Sequence, residues 1–228
     1  MNYAVILSGG VGSRMGLDMP KQYYKVADKP VIGYVLETIE EHDKIDGYIV
    51  VAAKEWQPFV VKMIEKSEKF LGFAMPGENR QLSIYSGLMR LKNVAKAEDL
   101  VLVQDAARAN TSYDLIKRCL EITDDEDGAM PVLPMKDTVY LSRDGQKVDE
   151  LLKREQIFAG QAPESFRYGK YVKANEVLLP DVILSINGST EPAVKAGMQI
   201  ALIDGEESNF KITTLEDLKR FERIVSEQ

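Results

Sequence analysis

The stretch Leu7–Gln22, L-S-G-G-V-G-S-R-M-G-L-D-M-P-K-Q, decides the fold of this chain and points to its chemistry. It follows the apolar run Tyr3–Leu7, whose length and composition predict a buried parallel strand. The stretch contains three glycines and two cations: Gly9, Gly10, Gly12, Arg14 and Lys21. Glycines let the backbone turn sharply and bring its N–H groups against a ligand, and fixed cations stabilise phosphate oxygens. The combination indicates an enzyme that handles a nucleoside triphosphate.

Two other kinds of glycine-rich loop fit this stretch less well. A phosphate-binding P-loop ends in Gly-Lys-Ser/Thr, whereas Gly12 is followed here by Ser13 and Arg14. A dinucleotide site has an acidic residue at the end of the second strand, whereas the predicted second strand Tyr48–Ala53 is followed by Lys54. A glycine turn with a purely structural role remains the alternative.

Strand-like and helix-like segments alternate along the first half of the chain. The predicted strands are Tyr3–Leu7, Tyr48–Ala53, Leu100–Val103 and Ala129–Leu133, and the predicted helices are Val31–Glu41, Trp56–Phe70, Leu82–Leu91 and Tyr113–Thr123. Such alternation predicts an α/β fold with a mostly parallel sheet and helices on both faces. Later segments predict helices at Lys170–Leu179, Val182–Ile186 and Thr214–Ser226 and a strand at Gln199–Ile203. Thr214 and Asp217 have the spacing of a capping box for the last helix.

The alternation breaks after residue 133, where a different pattern begins. Asp137–Val148 alternates apolar and polar residues around Asp144-Gly145, which favours a two-residue hairpin turn. A hairpin inserted here would protrude, and a protruding arm needs a partner to cover it. With no internal repeat or linker, residues 1–228 are predicted to form a single domain with an arm at about 135–160.

Composition excludes several classes of protein. The net charge of −7 argues against a nucleic-acid-binding surface, and no apolar stretch has the length of a membrane helix, about 20 residues. The start Met1-Asn2-Tyr3 lacks a signal-peptide pattern, and a single cysteine, Cys119, fits a reducing, cytoplasmic setting and a packed core thiol. His42, the only histidine, is expected at the surface, which excludes histidine-based metal sites and triads.

Candidate ligand-binding residues follow the predicted strands. Ligands of open α/β sheets bind at the carboxyl ends of the strands. Asp105 is suited there to Mg²⁺ or a ribose, with a helix N-cap as the alternative. Arg108 can hold a phosphate, unless it is a solvated surface arginine. Gly77 and Ser83 precede a helix and can bind a base or a phosphate, although helix capping explains them equally well.

Two further groups of candidates lie later in the chain. Asn209–Thr213 is predicted to be a strand in which Asn209 and Lys211 share a face that can point into the cleft. The arm carries polar and charged residues, among them Thr138 and Arg154. These arm residues either reach another subunit's cleft or are exposed residues that maintain solubility.

Taken together, the motifs resemble one family, the cytidylyltransferases that act on 2-C-methyl-D-erythritol 4-phosphate and on ribitol 5-phosphate. The resemblance covers nearly all of the chain and rests on the glycine loop with Arg14, Pro20-Lys21-Gln22, Arg80-Gln81-x-Ser83, Asp105-Ala106-Ala107-Arg108, Asp137-Thr138, Arg154, Gln161-x-Pro163 and Asn209-Phe210-Lys211-Ile212-Thr213. It implies a Rossmann-like nucleotidyltransferase fold, a homodimer with intersubunit arms, and Mg²⁺-dependent transfer of CMP from CTP to a polyol phosphate.

The resemblance also implies roles for single residues. Ser8, Gly9, Gly10, Gly77 and Ser83 match residues around the cytidine, and Gly12 belongs to the same nucleotide loop. Arg14, Lys21 and Lys211 match residues that hold the triphosphate and the transition state. Asp105 matches a residue near the ribose and the metal. Arg108, Thr138, Arg154 and Lys211 match residues around the acceptor phosphate, with Thr138 and Arg154 coming from the partner's arm.

The departures from the family pattern lie on the acceptor side. Gln104 replaces a common histidine, Ala109 a proline and Ala162 a threonine, and residues 187–194 replace the Thr-Asp-Asp-Ala stretch of the methylerythritol enzymes. The expected acceptor is a polyol phosphate such as ribitol 5-phosphate, with 2-C-methyl-D-erythritol 4-phosphate as the alternative. A nucleotidyltransferase using another nucleotide, and a catalytically silent nucleotide-binding protein, are the remaining hypotheses.

Overall fold

An eight-stranded sheet forms the centre of the described residues, which are 1–10 and 19–227 of this computed structural model. Its strands are β1 (Asn2–Leu7), β4 (Gly47–Val51), β5 (Phe70–Ala74), β6 (Leu100–Asp105), β7 (Gly128–Pro134), β10 (Phe158–Gly160), β11 (Glu164–Arg167) and β12 (Ile200–Asp204). Two short hairpins complete the strands, β2 (Lys25–Val26) with β3 (Lys29–Pro30), and β8 (Tyr140–Leu141) with β9 (Glu150–Leu151).

The order of the strands places a crevice at the centre of the sheet. The order is β10-β7-β11-β6-β1-β4-β5, with β12 beside β7. Strands β5, β4, β1 and β6 are parallel, and β11 and β10 run antiparallel to their neighbours. Leu7 at the end of β1 lies in register with Asp105 at the end of β6. After β1 the chain crosses to β4 on one side of β1, whereas β6 lies on the other side. The loops that follow β1 and β6 therefore lead in opposite directions and leave room for a ligand between them.

Seven α-helices of the described residues cover both faces of this sheet. They are α1 (Val31–Glu41), α2 (Gln57–Ile64), α3 (Arg80–Arg90), α4 (Tyr113–Leu120), α5 (Tyr168–Glu176), α6 (Glu191–Lys195) and α7 (Leu215–Ser226). Alternate residues of β1 face opposite sides: Ala4 and Ile6 pack with α1, α2 and α4, whereas Tyr3 and Val5 pack with α3, α5 and α6. The predicted α/β fold with a mostly parallel sheet is confirmed. None of the helices in the described ranges is both long and apolar enough to cross a membrane.

The structure corrects one predicted helix and the predicted surface position of His42. The helix predicted at Trp56–Phe70 ends at Ile64, and Phe70 begins strand β5 instead. The polar run 65–69 continues a helical spacing, but the aromatic and apolar residues after it pair with β4. His42 is fully buried rather than exposed, stacked on Tyr113 with ring centroids 4.0 Å apart. Burial lowers the pKa of His42, which favours the neutral ring.

The predicted arm contains a hairpin, but its turn is wider than expected. Tyr140 pairs with Leu151, so residues 142–149 form the connection rather than two residues. The Asp144 carboxylate organises this loop by accepting the N–H groups of Gln146 and Lys147. Tyr140 and Leu151 are 56% and 60% exposed, so the arm presents apolar side chains on its surface.

The predicted capping box of the last helix is present. The Thr214 hydroxyl accepts the Asp217 N–H at 3.2 Å, and the Asp217 carboxylate accepts the Thr214 N–H at 2.8 Å. We expect Thr214→Ala to lower the free energy of unfolding by about 1 kcal/mol, because an N–H of the first turn loses its acceptor. Thr214→Ser keeps the hydroxyl and serves as the control in urea denaturation. Equal stability of the two variants would contradict the role of the cap.

Candidate active site

A cleft of about 500 Å³ opens at the carboxyl ends of β1 and β6. The predicted site residues that line it are Gly9, Gly10, Lys21, Gly77, Ser83, Asp105 and Lys211. Ser8 lies behind them, 2% exposed. Gly12 and Arg14 lie outside the described residues. The structure therefore brings together the cleft residues from four separate parts of the chain, as the sequence analysis expects.

Asp105 is the anionic centre of the cleft. Its Oδ1 accepts from Nε and Nη2 of Arg80 at 3.2 and 3.0 Å, and its Oδ2 lies 2.8 Å from Nζ of Lys211. Burial alone would raise the pKa of Asp105, but Arg80 and Lys211 hold it well below its usual range. The carboxylate is therefore ionised at neutral pH. Asp105 is the last residue of β6, and α4 is capped by Ser112, so the N-cap alternative is excluded.

Arg80 is the main site residue that sequence reasoning missed, because it entered only as part of a family motif. It is the first residue of α3, 25 positions from the carboxylate that it binds. Burial opposes its charge, but Asp105 and Glu164 raise the pKa of Arg80 above its ordinary value. No local pattern signals such a contact, since it forms only when α3 packs beside β6.

The segment 187–194, which departs from the family pattern, contacts the carboxylate of Glu164, and that carboxylate interacts electrostatically with Arg80. Ser189 and Thr190 both donate to the buried carboxylate of Glu164, Thr190 at 2.8 Å. Burial raises the pKa of Glu164, and the nearby Arg80 charge opposes that rise. Changes in this segment can therefore alter the surroundings of Arg80 without contacting Asp105.

Gly77 and Ser83 shape the loop before α3. The Ser83 hydroxyl accepts the Gly77 N–H at 3.0 Å and donates to the Asn79 carbonyl at 2.9 Å. A Cβ on Gly77 would lie 2.3 Å from Cβ of Leu82, so only glycine fits there. Asn79 caps the helix by accepting the Leu82 N–H at 2.8 Å. The capping role expected as the alternative belongs to Asn79, while Gly77 and Ser83 line the cleft.

The strand predicted at Asn209–Thr213 is wrong, since these residues form an irregular segment. Asn209 is fully buried and does not face the cleft: its amide donates to the Ala162 carbonyl at 2.8 Å and accepts from Thr111. These two hydrogen bonds fix the path of the backbone in a segment that is not a strand. Lys211 does reach the cleft, as predicted.

Arg108 lies beside the cleft and is not a freely solvated arginine. Its Nη1 donates to the Asn209 carbonyl, and its buried Nε has no hydrogen-bond partner among the described residues. Burial lowers the pKa of Arg108, an effect that the Asp105 carboxylate counteracts. Arg108 is not among the residues that line the cleft, so its predicted contact with the acceptor phosphate stays a prediction.

Thr138 and Arg154 lie on the arm, away from the cleft of their own chain. They border a shallow exposed depression together with Leu151 and Lys153, and Arg154 donates to the Lys136 carbonyl at 3.0 Å. Within one chain the structure does not bring them to Asp105 or Lys211.

Comparison with known proteins identifies the family. The 2-C-methyl-D-erythritol 4-phosphate cytidylyltransferase family matches residues 2–227. The chain is similar to the enzyme of that name from Xylella fastidiosa (strain 9a5c), 35% identical over 96% of this chain and 95% of the relative. A ribitol-5-phosphate cytidylyltransferase from Streptococcus agalactiae is 27% identical over 98% and 95%.

Solved structures show the same fold. The 4-diphosphocytidyl-2C-methyl-D-erythritol synthase of Anaerococcus prevotii superposes with a TM-score of 0.83 at 23% identity, covering 100% of this chain and 96% of the other. The residues in the cleft, the fold and the family match over residues 2–227 all indicate the same family. The chain belongs to the 2-C-methyl-D-erythritol 4-phosphate cytidylyltransferase family and is a nucleotidyltransferase of the cytidylyltransferase class.

Proposed function

We propose that the protein transfers CMP from CTP to a polyol phosphate and releases pyrophosphate. The observation that carries the proposal is the cleft that combines a glycine loop with Lys21, Lys211 and the ionised Asp105. One anion, the acceptor phosphate, must approach another, the α-phosphate of CTP. Cations fixed between them reduce the repulsion and stabilise the charge that develops on the leaving group.

The reaction needs no general base from the protein. The acceptor phosphate has a second pKa of about 6, so it is largely dianionic at neutral pH. One of its oxygens forms a bond to the α-phosphorus while the bond from that phosphorus to the bridging oxygen of pyrophosphate breaks. Lys21 and Lys211 orient the phosphates and stabilise this transition state. Arg14 is proposed to assist from the part of the loop outside the described residues.

Mg²⁺ is the proposed cofactor, and the donor set fits it. Asp105 and Glu78 are the carboxylates that line the cleft among the described residues, and Asp105 is the buried one of the two. Mg²⁺ is commonly held by one or two carboxylates together with substrate phosphates. The Oδ2 of Asp105 accepts from Lys211 alone among the described residues, which leaves a lone pair for the metal. The ion supplies further positive charge to the phosphate oxygens when bound.

Two acceptors remain for the proposal. The greater identity to enzymes named for 2-C-methyl-D-erythritol 4-phosphate favours that acceptor. The opening Tyr3–Leu7 and the run Lys211-Ile212-Thr213-Thr214 resemble the ribitol 5-phosphate enzymes more, and Ala162 and the segment 187–194 depart from the methylerythritol pattern on the acceptor side. The test is pyrophosphate release with CTP and Mg²⁺ across these two acceptors, glycerol 3-phosphate and xylitol 5-phosphate. Turnover with UTP or GTP but not CTP would contradict the proposal, as would silence with every pair.

A homodimer joined through the arm is part of the proposal. The arm exposes Tyr140 and Leu151, and neither Thr138 nor Arg154 lines the cleft of its own chain. We expect Leu151→Asp to shift the protein to monomers in sedimentation velocity and to lower turnover by about tenfold or more. Val177→Asp, at an apolar residue 75% exposed outside the arm, is the matched control. A wild-type protein that is monomeric at micromolar concentration would overturn the dimer and the site roles of Thr138 and Arg154.

A further inference from the structure

The turn that carries Lys21 also holds the start of the glycine loop, residues 8–10, in place. Lys21–Tyr23 forms one 3₁₀ turn, and its middle residue, Gln22, is 3% exposed. The Gln22 amide nitrogen donates to the carbonyl oxygens of Ser8 and Gly10, both at 2.8 Å. A primary amide has two N–H donors. Both are therefore used on the loop, one on each side of Gly9.

Tyr23 fixes the same turn to the core. Its hydroxyl accepts from the Ser8 hydroxyl at 2.9 Å and lies 3.1 Å from the Ser8 carbonyl oxygen, to which it donates. Its ring stacks on Trp56 with centroids 4.4 Å apart and meets Phe59 edge-on at 5.5 Å. Tyr23 is only 1% exposed. The turn is thus a rigid support, and the glycine loop is hydrogen-bonded to it at two carbonyls.

The direction of these bonds decides which side of the loop a ligand meets. A trans peptide unit is planar, with its C=O and N–H on opposite sides. When the Ser8 carbonyl points at Gln22, the Gly9 N–H points away from it. That N–H has no acceptor among the described residues, and Gly9 and Gly10 line the cleft. An unpaired backbone N–H beside a cation is suited to an anionic or carbonyl oxygen of a nucleotide.

We propose that Gln22 is a positioning residue for the nucleotide. It turns the carbonyls of Ser8 and Gly10 away from the ligand, presents the Gly9 N–H to CTP, and fixes the loop relative to Lys21. This inference rests on the proposed function for the identity of the nucleotide. It adds that the affinity for the nucleotide depends on Gln22, although both N–H groups of its side chain already donate to carbonyls of the loop.

Gln22→Glu tests the inference with almost no change in shape. The carboxylate has no donor and would face two carbonyl oxygens, so the loop must turn. We expect the Kd for CTP, measured by calorimetry, and the KM for CTP to rise about tenfold or more, since two hydrogen bonds are lost. The KM for the acceptor should stay within about twofold, because the change lies on the nucleotide side. Gln22→Ala should show a smaller increase, since it removes the donors without adding repulsion.

Gln57→Ala is the matched control. The Gln57 amide also donates to a carbonyl after a central strand, that of Ala52 after β4, at 3.1 Å, and Gln57 does not line the cleft. This variant should bind CTP like the wild type. An unchanged Kd for CTP in Gln22→Glu would overturn the inference. Equal increases in the KM of both substrates, with a large fall in Tm, would also overturn it by showing a general structural role.

Calorimetry separates this inference from the proposed function. If the wild type binds CTP but turns over no acceptor, the reaction is wrong and the comparison of Kd values still tests Gln22. If the wild type turns over CTP and Gln22→Glu matches it in Kd, the role of Gln22 is wrong and the reaction stands.

Discussion

Lys21→Ala is expected to reduce turnover by about 100-fold or more, by analogy with the loss of one donor to a developing oxyanion. Lys21 lines the same cleft as Gly9, Gly10 and Asp105, where the phosphates of CTP are proposed to bind. Its charge is needed most when negative charge builds on pyrophosphate. The loss should therefore fall mainly on kcat in steady-state assays of pyrophosphate release, with a smaller effect on the KM for CTP.

Lys25→Ala is the control for this experiment. Lys25 lies four residues later, on β2, and is exposed. It should show wild-type turnover, which separates a local role of Lys21 from a general effect of net charge. Wild-type turnover by Lys21→Ala would contradict the proposed role of Lys21 in stabilising the transition state.

Asp105→Asn is expected to have an effect of similar size. Asparagine keeps the shape of the side chain but removes the charge that attracts Arg80, Lys211 and the proposed Mg²⁺. We expect turnover to fall about 100-fold or more and the Mg²⁺ concentration for half-maximal rate to rise about tenfold. A titration of MgCl₂ at saturating CTP measures both.

Asp127→Asn provides the comparison for Asp105→Asn. Asp127 is also a buried carboxylate, paired with Lys170 at 2.5 Å, but it lies at the amino end of β7 and does not line the cleft. Its folded fraction should keep normal turnover and Mg²⁺ dependence. If the two variants behave alike, the effect of Asp105→Asn is structural and the metal role is wrong.

The central strands were predictable because each is a short apolar run. The apolar runs at Tyr3–Leu7 and Leu100–Val103 lie within β1 and β6. Strand β11 was missed because its sequence, Glu164–Arg167, begins and ends with charged residues. Its Phe166 is fully buried, and the carboxylate of Glu164 accepts hydrogen bonds from two hydroxyl groups. Tertiary packing rather than the local sequence pattern therefore makes this segment a strand.

The site shows the same division between local signal and tertiary contact. The position of Lys21, Asp105 and Lys211 at the cleft was predictable, because Asp105 ends a recognisable apolar strand and the two lysines belong to family motifs, although the strand predicted around Lys211 is wrong. Arg80 was not, since its role depends on a contact across 25 positions. The surface position expected for His42 was wrong for the same reason: its charged neighbours in sequence indicate solvent, while Tyr113, 71 positions away, buries it.

The pairing of Asp105 with both Arg80 and Lys211 has a consequence for how a charged ligand enters. Two cations held on one carboxylate make a cleft whose local charges are already partly balanced before any nucleotide arrives. If Asp105 holds the proposed Mg²⁺, binding of a metal–nucleotide complex would be an exchange of counterions, in which Arg80 and Lys211 would be freed to contact the phosphates. Because Asp105 already neutralises part of the positive charge before the nucleotide binds, salt should weaken nucleotide binding less than the number of cations in the cleft suggests.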